Sequence, residues 1–336
     1  MSILDRLATA FRKPDDEPPL SLATQPTADD VRNGYRFILG RNPESDDVVR
    51  SHRGQASVAD LRHGLLSSRE FRDQGFMPPP KAYLAHSPAE DVQTAADEDE
   101  LRAMVAKTGE YWASVGRTAP HWSVLTEEKY APESLSENED AFFDSGAADR
   151  DLLLCLLRRI GRAPADFRRC VEYGCGVGRD TLPLAATFRE VVGLDISQPH
   201  LDVAQQKIAS ANLANVRLMH VTPDDLMPAS DYDLWFSRLV LQHNPPPVTL
   251  AILDKAFSQL ASGGVAIIHL PTYCDGYSFN VANYLASPIG QNMEMHATPQ
   301  RVILDLAFSR NCRLREIHEE PGHRIYITNL FVFQKT

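Results

Sequence analysis

The run Val171-Glu-Tyr-Gly-Cys-Gly-Val-Gly-Arg-Asp180 constrains this chain more than any other stretch. Glycines stand at 174, 176 and 178, directly after a β-type apolar run and before a helical one. Lacking a Cβ, they let the backbone turn sharply off a strand and bring bare N–H groups against a ligand. Such a strand, turn and helix cradle a nucleotide, or they form a tight βα turn that binds nothing. The spacing separates two kinds of nucleotide. A dinucleotide fold places its third glycine where this chain has Arg179, which disfavours an NAD-dependent oxidoreductase.

Further elements continue the pattern. Val191-Val-Gly-Leu-Asp195 reads as the next strand and ends on a carboxylate. An acid about twenty residues beyond the first glycine can accept hydrogen bonds from both ribose hydroxyls. Taken alone, Asp195 reads as a cap for a helix starting near Ser197. Asp231 to Pro245 is an apolar strand followed by the polar turn Gln242-His243-Asn244-Pro245. Leu250 to Leu260 reads as an amphipathic helix ended by Gly263-Gly264, and Val265 to Leu270 as a buried strand. A helix over Thr298–Arg310 and strands over Cys312–Glu319 and Tyr326–Gln334 complete the series. The alternation predicts a mostly parallel sheet with its ligand at the carboxyl ends of the strands.

Glu172-x-Gly174-x-Gly176-x-Gly178, the acid Asp195 and the turn after the fourth strand together resemble the class I S-adenosylmethionine (SAM) methyltransferases, over about residues 149–336. The resemblance implies a Rossmann-like α/β sheet with helices on both faces and SAM as cofactor. It implies methyl transfer to a small-molecule or glycan acceptor, with an oxygen favoured; the alternative is a noncatalytic SAM-fold scaffold. It assigns Glu172, Gly174, Cys175, Gly176, Gly178 and Arg179 to the cofactor loop, Asp195 to the ribose, Ile196 to packing beside the adenine, and Ser237 to the same site. Where the family commonly has an aspartate after strand three, this chain has Thr222, with Asp224 and Asp225 just beyond. With Thr222 in that place, Asp224 or a backbone carbonyl supplies the acceptor for the adenine, or both aspartates cap the turn after Pro223.

Methyl transfer is an in-line displacement, so catalysis is mainly alignment, and a base is needed only for a protonated acceptor. The candidates are His243 in the turn after strand four, His269 near the end of strand five, and Tyr273 or Tyr277 just after it. Each is equally readable as a structural hydrogen-bonding group. Asn280, Asn283 and Tyr284 fall between strand five and the next helix, where insertions carry acceptor specificity in this superfamily.

At 336 residues the chain is long for one domain. Residues 1–26 read as a short amphipathic helix (Ile3, Leu4, Leu7, Phe11) and a proline-rich linker. Residues 27–76 read as a small all-α module. Thr27 with Asp30, Ser57 with Asp60 and Ser67 with Glu70 are capping pairs, and Val31, Tyr35, Ile38 and Leu39 share a face. Tyr35…Leu39-Gly-Arg41-x-Pro43 and Gly64 to Phe71 resemble a short helical family of unknown function found on bacterial surface-associated and glycan-handling proteins. That implies a docking role toward a protein partner. Residues 77–100, with Pro78-Pro-Pro80 and acidic Asp97-Glu-Asp-Glu100, read as a linker. Residues 101–148, with Trp112, Trp122 and Phe142, read as an aromatic helical cap that lids the cofactor or simply packs on the sheet.

Composition excludes several classes. A net charge of −11 with no Lys/Arg stripe argues against gripping nucleic acid. Five cysteines without a C-x-x-C pair indicate neither a disulfide framework nor a structural metal. No run approaches a membrane span or a signal-peptide core, so a cytoplasmic location is expected.

Overall fold

The computed structural model describes residues 24–73, 91–290, 293–320 and 326–336. The readings of residues 1–13, of most of the proline-rich stretch after them and of Pro78-Pro-Pro80 lie outside these. The chain divides into two compact units, residues 1–81 and 82–336.

In the first unit, α1 (Ala28–Leu39), α2 (Asp46–Arg53), α3 (Val58–Leu66) and α4 (Arg69–Asp73) follow one another closely. Thr27 and Asp30 close a capping box on α1, and Gly40 ends that helix at φ 65°. Ser57 caps α3. The third pair is displaced by one residue. Ser68, not Ser67, accepts the Phe71 N–H, while Glu70 turns to the Arg41 guanidinium. Val31, Tyr35, Leu39, Val49, Leu61, Leu65 and Phe71 form the unit's own core.

The second unit begins with β1 (Asp91–Val92), α5 (Glu98–Thr118), α6 (Pro120–Val124), α7 (Glu139–Asp144) and α8 (Gly146–Arg159). The acidic run read as linker opens α5 instead. Asp97 and Glu100 form its capping box, and the acids of its first turn complement the helix dipole. A boundary at residue 100 therefore falls inside a helix.

Alternating strands and helices follow: β2 (Cys170–Tyr173), α9 (Thr181–Ala185), β3 (Val191–Asp195), α10 (Gln198–Ser210), β4 (Val216–His220) and β5 (Leu234–Ser237). The chain continues through α11 (Pro246–Gln259), β6 (Val265–Cys274), β7 (Ser278–Phe279), α12 (Val281–Ala286), α13 (Gln300–Ser309), β8 (Cys312–Glu320) and β9 (Tyr326–Lys335). Seven strands form one sheet in the order β4-β3-β2-β5-β6-β9-β8. The pairs from β4 to β6 are parallel, and β9 runs antiparallel to both β6 and β8.

A parallel sheet is covered on both faces, so its strands are apolar throughout. Val171, Tyr173, Trp235, Ala266 and Ile268 face one layer with Met104, Ile252, Phe257 and Ile303 from α5, α11 and α13. Cys170, Leu234, Phe236, Val265 and Ile267 face the other with Leu153, Leu157 and Leu184 from α8 and α9. Burying one such Leu, Val or Phe contributes about 1.5–3 kcal/mol. Helix α11 starts earlier than its apolar periodicity suggested, because Pro246 is accommodated in a first turn that lacks intrahelical acceptors. Strand β6 runs past Leu270 to Cys274 by pairing with β9 across a register shift between Pro271 and Tyr273.

Candidate functional site

A cavity of about 320 Å³ opens at the carboxyl ends of β2, β3 and β5. Its floor is the loop after β2. Gly174 adopts φ 82° and its N–H donates to the Leu194 carbonyl at 2.7 Å; a Cβ there would stand 2.3 Å from the Val240 methyls. Gly176, at φ 54°, donates its N–H to Asp195 Oδ2 at 2.8 Å. Asp195 Oδ1 accepts the Ser197 N–H at 2.8 Å. Each carboxylate oxygen retains a lone pair, so holding the loop leaves Asp195 able to accept from a ribose. Glu172, Cys175, Arg179 and Ile196 also line the cavity.

Charge is concentrated beneath the loop. Arg179 pairs with Asp149 and Asp180, and Arg238 pairs with Asp149 and Glu320. Burial raises the Asp180 carboxyl to about 7, with Arg179 opposing and Asp149 adding to the shift. Burial and then Asp180 push Glu172 well above the usual carboxylate range, against the Thr181 hydroxyl that donates to it at 2.6 Å.

The remaining walls come from elsewhere in the chain. Helix α5 contributes Thr108 and Trp112, and the segment from α6 contributes Ser123, Val124, Leu125 and Thr126. Arg238, Leu239, Val240, Gln242, His243 and Asn244 line the cavity from the turn after β5. His243 Nδ1 lies 2.9 Å from the Glu294 carbonyl, and Trp112 meets the imidazole edge-on at 5.1 Å. A narrow recess of about 20 Å³ shares Thr108, Trp112 and His243 with the main cavity and adds Lys107, Tyr111, Tyr284 and Glu294. His243 therefore stands in the wall common to both. Asn280 instead caps α12, accepting the Asn283 N–H at 3.0 Å.

Several expected contacts are placed elsewhere. Thr222 and Asp225 bridge each other across a tight turn, and Asp224 is exposed and paired with Arg102, so neither Thr222 nor Asp224 lines the cavity. Ser237 points along the sheet and donates to the Tyr173 carbonyl at 3.0 Å, stitching β5 to β2. Gly178, at φ 88°, serves the backbone turn into α9 and does not line the cavity. Tyr273 sits where β6 shifts register against β9, away from the cavity, and Tyr277 bonds His296 at 2.9 Å.

His269 is a buried brace. Its Nδ1 accepts the Leu239 N–H at 3.3 Å and its Nε2 faces Glu320 at 3.1 Å. Leu239 has φ 60°, a costly conformation for a bulky residue, so His269 pins a strained turn at the cavity edge. Sequence reasoning missed Arg238, Asp180, Ser123 and His200 as cavity residues. Arg238 carried a signal, being the charge that interrupts an apolar run from Leu234 to Leu241.

The aromatic cap divides by role. Trp112 lines the cavity, whereas Phe142 packs with Tyr130, Phe143 and Val177. His121 is only 7% exposed, lies edge-on to Phe142 and Phe143, and has no partner for either ring nitrogen among the described residues. Replacing it with Leu is expected to stabilise the fold by about 1–3 kcal/mol, the cost of a buried unsatisfied polar group. Burial holds His121 below its ordinary value of 6.5, with Glu139 opposing. The stability the neutral ring preserves is present above 6.5 and lost as pH falls through the lower folded-state value. The advantage of His121→Leu should therefore widen from pH 7 to pH 5 in urea denaturation. A variant no more stable than the parent at either pH contradicts this.

Comparison with known proteins decides the class. A methyltransferase-domain family matches residues 170–264, the stretch holding the glycine loop, Asp195 and the turn after β5. The C-terminal part of the chain is a class I SAM-dependent methyltransferase domain. SAM is its cofactor. A ubiquinone biosynthesis O-methyltransferase of Ruegeria sp. is 25% identical over 210 residues, which cover 62% of this chain and 75% of that protein. A trans-aconitate 2-methyltransferase of Delftia acidovorans is 32% identical over 136 residues, 39% of this chain and 48% of that one. Among solved structures, the magnesium protoporphyrin IX methyltransferase of Synechocystis PCC 6803 with bound SAM gives a TM-score of 0.48 at 16% identity, covering 73% of this chain and 100% of that one. No helix among the described residues is long and apolar enough to cross a membrane, and no group of His, Cys, Asp and Glu there is arranged to hold a metal.

Asp195 gives the cofactor site its most direct test. Asp195→Ala should weaken S-adenosylhomocysteine (SAH) binding by about 1–3 kcal/mol, the cost of leaving hydrogen-bonding partners unmatched. Titration calorimetry reads this, and an unchanged affinity would reduce Asp195 to a brace for Gly176 and Ser197.

Proposed function

We propose that this methyltransferase acts on an oxygen of a small-molecule acceptor, with His243 as the base. The observation that carries the reading is the position of His243 between the cofactor cavity and the aromatic recess. A backbone carbonyl opposite Nδ1 requires the hydrogen on that nitrogen, which leaves the lone pair on Nε2. The Gln242 amide N–H donates to that lone pair at 3.2 Å and fixes the ring's orientation, so an acceptor hydroxyl must displace it to reach Nε2.

When bound, SAM supplies an activated methyl group on a positively charged sulfur. Asp195 would hold the ribose end, and Gly174 and Gly176 admit it to close approach. His243 would take the acceptor's proton at Nε2 while Trp112 excludes water on its flank. An imidazole base is matched far better to a phenolic hydroxyl than to the much less acidic aliphatic alcohol. At about 20 Å³ the recess admits little more than a water, so a partly apolar acceptor would lie in the main cavity beside Trp112, Met293 and Met295. The names of the relatives, a ubiquinone biosynthesis O-methyltransferase and a trans-aconitate methyltransferase, support small acceptors. A glycan acceptor rests on the resemblance of residues 27–76 alone. That unit, whose α1 leaves Phe37 87% exposed, is assigned a docking role toward a protein partner.

Incubation with methyl-labelled SAM and a panel of phenols, aliphatic alcohols, carboxylic acids and amines tests the assignment. Label on phenolic oxygen supports it. Label on nitrogen, or on carboxylates alone, overturns the role of His243.

A further inference from the structure

The outermost strand of the sheet leaves one edge open, and the residues along it are ordered by charge. β8 ends the order β4-β3-β2-β5-β6-β9-β8, and no strand among the described residues pairs with its outer side. An open edge of nine residues presents N–H and C=O groups that another strand can take up. The bulge and charges of β8 deter indiscriminate pairing, but they do not deter a strand complementary to them.

Apolar surface gathers beside this edge. Leu314 lies opposite Phe333 and Ile317 opposite Phe331 on β9, although in a regular strand residues three apart face opposite ways. The bulge between Leu314 and Glu316 adds the residue that turns both to the side of Phe331 and Phe333. Each is 40% exposed, and Phe308 of α13, the helix covering this side, is 78% exposed. These are three of the five large hydrophobic side chains exposed among the described residues, so the patch is concentrated rather than scattered.

The charges select the occupant. Arg313 and Arg315 stand in the first half of β8, and Glu316, Glu319 and Glu320 in the second. A second β8 laid parallel would set arginine beside arginine and glutamate beside glutamate. Laid antiparallel, it sets each basic half against the other's acidic half, and the two-fold relation closes the contact at two copies. Pairing centred on Ile317 keeps the faces matched. Ile317 meets Ile317, Glu316 meets His318, and the bulged pair Leu314 and Arg315 meets Glu319. Glu316 and Glu320 are already engaged by Arg159, Arg238 and His269, so Arg315 and Glu319, both exposed, carry the cross-pair.

We propose that β8 is the interface of a two-fold dimer, in which a second copy of this chain adds its β8 antiparallel and extends the sheet across both copies. The same contact covers Phe308, Leu314 and Ile317. The cavity at the ends of β2, β3 and β5 is separated from this edge by β6 and β9 and stays open.

Sedimentation equilibrium of the full chain reads the assembly directly. The parent should be a dimer at micromolar concentration. Arg315→Glu and Glu319→Arg should each weaken it roughly ten-fold or more, because a single reversal sets like charges face to face twice. The double variant should associate like the parent, since the swap restores both pairs. Ile317→Lys, which brings two cations together on the two-fold axis, should be monomeric. Circular-dichroism melting checks that each variant folds. A monomeric parent overturns the proposal. So does a dimer that neither reversal weakens, or one that the double variant fails to restore, because association then runs through another surface.

Discussion

Gly176→Val should abolish measurable SAH binding while the fold persists. The effect has two sources that act at one position. Gly176 sits at φ 54°, a left-handed conformation in which a β-branched residue is strongly disfavoured. A Cβ there would also approach Val124 Cγ2 to 2.9 Å, in the gap between loop and cap that the cavity occupies. The flexible end of Val124 can yield to a methyl but not to a branched side chain and a ligand together. The neighbouring glycines do not offer the same test. A Cβ at Gly174 would strike Val240 at 2.3 Å and dismantle the turn, and one at Gly178 would make ordinary contact with Ala204 at 3.4 Å. Calorimetry on a variant with an unaltered circular-dichroism spectrum is decisive. Parent-like affinity would remove the glycine loop from the cofactor site.

His243→Ala should lower turnover on a phenolic acceptor by about 10²–10⁴-fold with SAH affinity nearly unchanged. The asymmetry follows from position, since the cofactor's proposed ribose and loop contacts lie at Asp195 and Gly176, while His243 faces the recess. Because the base works as the neutral ring, parent turnover should rise with pH as that ring loses its proton, and the variant should lose that rise. A carboxylic acid is already ionised at neutral pH and needs only alignment, so its methylation should fall far less. Equal losses on phenols and carboxylates, or an intact pH profile, would make His243 a packing residue beside Trp112.

The sheet was legible because parallel strands buried on both faces appear as apolar runs, as in Val191–Leu194 and Val265–Ile268. The glycine loop and Asp195 were legible because backbone conformation and an acid at a strand end leave residue-type signatures. Side-chain direction was not. Ser237 and Arg238 are adjacent, yet one points along the sheet and the other into the cavity. His269 and His243 both follow apolar strands, yet one braces Leu239 and the other reaches the recess. Those outcomes depend on partners such as Glu320 and Glu294, far away in the chain, that no local pattern names. Likewise, Ser123, Ser197 and Trp112 meet at His200 only because α5, α6 and α10 pack together.

The most direct test is to incubate the protein with methyl-labelled SAM and a phenolic acceptor and to identify both products by mass spectrometry. SAH and an O-methylated phenol should form in equal amounts, and Gly176→Val should form neither. Transfer to nitrogen or carbon, or O-methyl product formed equally well by Gly176→Val, would contradict the account.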